Sequence, residues 1–135
     1  MTPSTHSGAG GRHAAAYARV GLQTRVGSAS PTQLIALLLA GARTDITRAS
    51  LYFSQGNVAA RGRAITHALT IVRNGLIAAI DEQQGSVAAQ LRHTYELICY
   101  LLLQANARRD PAMLERAGDM LRDVELAWSE ATDGK

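Results

Sequence analysis

Lysine, proline, cysteine and aromatic side chains are all scarce in this 135-residue chain: one Lys stands against thirteen Arg, with three Pro, one Cys and an aromatic fraction of 4%. A single cysteine excludes an internal disulfide. Cys99 lies within the apolar run "ICYLLL", where a buried, reduced thiol is the expectation. So few aromatics, with arginines scattered at helix-surface spacings, leave nothing to stack on bases, and a nucleic-acid partner is not expected. The longest apolar run, Leu34 to Ala42, is nine residues counting Gly41, against roughly 20 needed to cross a bilayer, so membrane insertion is not expected. Residues 1–16 carry Gly, Ser and His where a secretory signal needs an unbroken apolar stretch, which points to the cytosol. Acidic charge is nearly missing from the first half: residues 1–73 hold eight Arg against Asp45 alone, and residues 74–135 hold five Arg and Lys135 against ten acids, which recovers the formal +3.

What is present is aliphatic. A hydrophobic fraction of 47% with few β-branched or aromatic runs suits one all-α domain. Residues 1–13, rich in Gly, Ser and Thr without periodicity, read as a disordered tail. Residues 14–29 read as an arm, because Gly21 and Gly27 interrupt any long helix there. The first main helix is announced by "SASPTQ", with Ser30 as cap, Pro31 in the first turn and Gln33 reaching back. It runs to Gln55 and stops at Gly56, with Ile35, Leu38, Ala42, Ile46, Ala49 and Phe53 at helical spacing. A second helix from Val58, capped by Asn57, to about Glu82 carries Ile65, Leu69, Val72, Leu76 and Ala79. The third, Ser86 to Ala107, carries Val87, Leu91, Thr94, Ile98, Leu101 and Ala105. Asp110 and Pro111 open the fourth, with Leu114, Ala117, Leu121, Val124 and Trp128. Short connectors permit only antiparallel neighbours, which gives an up-down-up-down four-helix bundle over residues 30–130 with a flexible 131–135.

Those four stripes fill such a core, and they leave Leu34, Leu37 and Leu39, and later Tyr95, Tyr100, Leu102 and Leu103, as surplus. Bare leucines favour aggregation, so the surplus implies a partner, a covering arm or a weak homodimer. Catalysis finds no support. A di-iron bundle needs Glu on two helices and Glu-x-x-His on two more, whereas His93 and Glu96 stand in reversed order, helix one offers only Asp45, and the remaining histidines are His6, His13 and His67. Neither a dinucleotide-binding glycine motif nor a P-loop is present. No enzyme activity, metal or other cofactor is expected.

The order "AYARVGLQTRVGSASPTQLIALLLAGA", "RASLYF", "IVRNGLIAAIDEQ" and "LLQANARRDPAMLERAGDMLRDVELAW" resembles the flagellar secretion chaperone FliS family, in its proteobacterial form, over nearly all of residues 16–130. The resemblance implies a small antiparallel helical bundle that binds the disordered C-terminal region of flagellin in hydrophobic grooves. It also implies that the chaperone prevents premature polymerisation and delivers flagellin to the export-gate protein FlhA of the type III apparatus. It assigns flagellin to the surplus patches, with Leu34, Ile35, Leu37, Leu38, Tyr95, Ile98, Leu101 and Leu102 as its contacts. The arm, through Tyr17, Val20 and Leu22, folds over the groove and serves gate docking, and a second chaperone or regulator is left open. Two departures make the surface more apolar: Ala40-Gly41 replaces an Asp-Gly pair, and Tyr100-Leu101 replaces paired arginines.

Overall fold

The computed structural model describes residues 29–133. The expected tail and the arm residues Tyr17, Val20 and Leu22 lie outside the described residues. Within them the chain is all-helical, with four α-helices and no strand: α1 (Pro31–Gln55), α2 (Val58–Thr70), α3 (Ser86–Ala107) and α4 (Pro111–Asp133). Between α2 and α3, a π-helical stretch (Ile71–Ile77) continues α2 and a 3-10 turn (Glu82–Gln84) leads into α3.

The helix ends follow their capping chemistry. The Ser30 hydroxyl accepts from the Gln33 N–H at 3.1 Å while the Gln33 side-chain oxygen accepts from the Ser30 N–H at 2.8 Å, a complete capping box ahead of Pro31. At the other end Gly56 turns left-handed (φ 69°), and its N–H donates to the Phe53 carbonyl at 3.1 Å. The side chain of Asn57 then accepts from the Ala60 N–H and that of Asp110 from the Ala112 N–H, opening α2 and α4. α4 stays helical through Asp133.

One element departs from the sequence pattern. The continuous second helix expected to reach Glu82 is α-helical only to Thr70 and then widens into π turns. Four of the seven π residues, Ile71, Val72, Gly75 and Leu76, are buried. The wider turn thus presents two adjacent pairs to the core where an α-turn presents a narrower stripe. Gly75 lies against α1: a Cβ there would lie 2.9 Å from a methyl of the buried Leu38, so a larger residue obliges that side chain or the helix to shift.

Cross-helix contacts fix the directions of neighbours. Leu38 meets Gly75 and Asp45 meets His67, so α1 and α2 run antiparallel. The Trp128 indole N–H donates to the Thr32 carbonyl and Gly118 abuts Ile46, so α1 and α4 do too. Arg61 donates to Asn106 at 3.0 Å, tying the start of α2 to the end of α3, while α3 also packs on α4 and on the π stretch. Because α1 is flanked by α2, the π stretch and α4, it buries an arc wider than one stripe. Leu34, Leu39, Tyr95 and Leu102, expected as surplus, are core residues, with Leu39 and Leu102 fully buried.

Candidate functional site

Val87 points to the site. It precedes Ile98 by eleven residues, about three helical turns, and so shares the inward side of α3, yet it is 64% exposed while Ile98 is fully buried. A core-side position left uncovered marks an unfilled space. That space is an apolar groove of about 340 Å³ at the end of the molecule where α1 begins. Ile35 of α1 forms one wall. Leu76, Ala79 and Ile80, from the π stretch and the turn after it, form another. Val87, Ala88, Leu91 and Tyr95 of α3 face them, and Trp128 of α4 closes the row, with Asp81 and Gln84 as the polar edge.

Trp128 also lines a second, larger cleft of about 620 Å³ between α1 and α4, with Thr32, Gln33, Ala36 and Leu126. Arg43 and Glu125, paired at 2.5 Å, bound this cleft. The half-buried indole, held by its 3.3 Å hydrogen bond to the Thr32 carbonyl, is therefore the partition between two recesses. Further along α3, Leu97, Tyr100 and Leu103 follow each other at three-residue steps on the outward face, 36%, 51% and 43% exposed. Groove and strip together give the molecule apolar ground with no catalytic apparatus around it.

The titratable groups in this region are chemically quiet. Burial pushes the Tyr95 phenol well above the usual tyrosine range. It also pushes the Cys99 thiol up, against the opposing pull of Arg73, so the thiol is a poor nucleophile. Among the described residues no group of three or more His, Cys, Asp or Glu side chains is placed to hold a metal ion, and no helix is long and apolar enough to cross a membrane. His93 and Glu96 are both exposed.

Of the residues assigned to flagellin from the sequence, Ile35 and Tyr95 line the groove. Leu37 is half-buried against the core, and Leu34 is 7% exposed within it. Leu38, Ile98, Leu101 and Leu102 belong to the core itself. Tyr17, Val20 and Leu22 lie outside the described residues. Sequence reasoning missed Leu76, Ala79, Val87, Leu91 and Trp128 as lining residues, having placed them in stripes that fill the core, and gave Ile80 no role. Their signal is weak in sequence, since a groove wall and a core wall have the same composition.

A family model described as "Flagellar protein FliS" matches residues 13–135. Among curated proteins, the flagellar secretion chaperone FliS of Salmonella typhimurium is 40% identical over 116 residues, covering 85% of this chain and 86% of its own length. FliS of Escherichia coli K12 is 34% identical over 117 residues, covering 86% of each chain. The flagellar secretion chaperone FliSB of Pseudomonas aeruginosa is 29% identical over 113 residues, covering 83% of this chain and 89% of its own.

Proposed function

The chain belongs to the FliS family of flagellar secretion chaperones, a family of chaperones and not of enzymes, and on that footing we propose that it holds the disordered C-terminal region of flagellin on its apolar ground, prevents premature polymerisation and hands it to the export gate. The observation that carries this reading is the uncovered apolar groove around Val87, in a molecule that buries Leu34, Leu39 and Leu102 in its core.

The mechanism is recognition coupled to folding. A client segment seats an aliphatic side chain between Ile35, Leu76 and Leu91 and continues along α3 to the Leu97–Tyr100–Leu103 strip. From Leu91 to Leu103 the helix rises roughly 18 Å, a reach that asks for a long segment. Each buried leucine of the client contributes roughly 1.5–3 kcal/mol, and ordering the segment offsets much of the sum, so release can proceed by peeling one anchor at a time. The antiparallel pairings fit an up-down-up-down bundle, in which Leu34, Leu38, Ile98, Leu101 and Leu102 back the client surface from within. The arm, residues 14–29, covers the groove when flagellin is absent, with Tyr17, Val20 and Leu22 as its apolar contacts. Its last residue, Ala29, packs against the core just before α1 begins. Displaced by the client, the arm is free to dock on FlhA in the cytosol.

The test is a titration of the chaperone with a synthetic peptide of the last forty or so flagellin residues, following heat and helicity together; that length follows from tracking a molecule roughly 35 Å long. Saturable one-to-one binding with a gain of helix and a negative heat-capacity change is expected. Leu91→Asp, in a protein that keeps its cooperative melt, is expected to weaken binding by more than about tenfold. Unchanged affinity in that variant overturns the groove as the client site.

A further inference from the structure

We propose that Gly75 and Leu38 set the width of the groove, and with it the size of client side chain the groove accepts; this rests on reading the groove as the client site. A Cβ built on Gly75 would lie 2.9 and 3.1 Å from the two Leu38 methyls and 3.6 Å from its Cγ, so the whole end of the leucine side chain rests on the glycine Cα. Leu38 has 0% exposure and no solvent to swing into. The clash is with the movable end of Leu38, but that end is walled in by core, so a side chain at position 75 pushes α1 away from the π stretch. Ordinary carbon–carbon contact is roughly 3.5–4.0 Å, so the separation needed is somewhat under an ångström to about one.

That contact is a spacer directly beneath the groove. Ile35 lies about one turn before Leu38 on α1, Leu76 follows Gly75 in the chain, and both line the groove. Moving the floor apart moves these two walls apart. Groove width at this point decides between anchors of different girth, since one methylene of fit or misfit in an apolar pocket is worth about 10- to 200-fold in discrimination. With the spacer closed, the groove selects a branched aliphatic anchor over an aromatic one.

The experiment uses the full chain and the flagellin C-terminal peptide, remade with each leucine in turn changed to Ala or to Phe. The native protein is expected to prefer Leu over Phe by about tenfold at the anchor position. Gly75→Ala is expected to erase or reverse that preference, and Gly75→Ala combined with Leu38→Val, which removes the opposing methyls, to restore it. Leu38→Val alone draws the walls together and shifts preference toward the Ala peptide, and it carries the test if Gly75→Ala does not fold. An unchanged Leu-to-Phe ratio in Gly75→Ala, or an unchanged Leu-to-Ala ratio in Leu38→Val, overturns the proposal. If Leu91→Asp still abolishes binding in that case, the client site stands and only the spacer role falls; if Leu91→Asp is silent, both fall.

Discussion

Replacing His67 with alanine is expected to cost more stability than replacing Asp45, although His67 is the more exposed of the two. The Asp45 side chain on α1 is 6% exposed, and its Oδ2 lies 2.5 Å from Nδ1 of His67 on α2, whose side chain is 47% exposed. Its other oxygen has Arg48 at 3.9 Å, too long for a hydrogen bond and carried on an exposed side chain. His67→Ala leaves a buried carboxylate without its close donor, a penalty of about 2–3 kcal/mol. Asp45→Ala removes the group that is expensive to bury and costs only the His67 hydrogen bond, about 1 kcal/mol. The double variant should cost less than the two single losses added, because no stranded charge remains once Asp45 is gone. Urea denaturation followed by far-ultraviolet circular dichroism resolves these differences, which correspond to roughly 3–5 °C in Tm per kcal/mol for a domain of this size. If Asp45→Ala costs as much as His67→Ala, or if the two losses simply add, the asymmetry argued from burial is wrong.

Two further outcomes follow from the same coordinates. Burial holds the Tyr95 proton in the folded chain beyond the pH at which the unfolded chain releases it, near 10. The folded state therefore binds more protons above that pH: stability is fully present below about pH 10 and declines as pH rises further. Tyr95→Phe should flatten the decline measured by urea midpoints from pH 9.5 to about 11.5, and an equal slope in both proteins would count against it. Gly56→Ala meets no atom within 4 Å, so its cost is that of a left-handed backbone alone (φ 69°), about 1–2 kcal/mol; a neutral result would place the end of α1 in another conformation.

Helix limits were legible because their causes are local. Ser30 with Gln33, Gly56 with Asn57, and Asp110 with Pro111 each satisfy backbone groups within three residues, and α1 and the starts of α2 and α4 lie where those signals put them. Whatever depended on a second helix was harder to read. The π stretch sets Gly75 against Leu38 of α1, a contact thirty-seven residues apart in the chain. The pairing of Asp45 with His67, twenty-two residues apart, leaves no mark in the sequence of either helix. Leu34, Leu39 and Leu102 were counted as excess because an isolated stripe underestimates the arc buried by a helix with three neighbours. Val87 and Leu91 were placed on the correct side of α3, but whether anything lies opposite a residue cannot be read from its own helix.

Trp128 is the only tryptophan in the chain, and it forms the partition between the two recesses, its ring half-buried and its N–H tethered to the start of α1. The molecule thereby carries its own optical gauge. Excited near 295 nm, it emits from one place, so a blue shift or protection from iodide quenching registers what sits in either recess, without a label and without a competing signal from elsewhere in the fold.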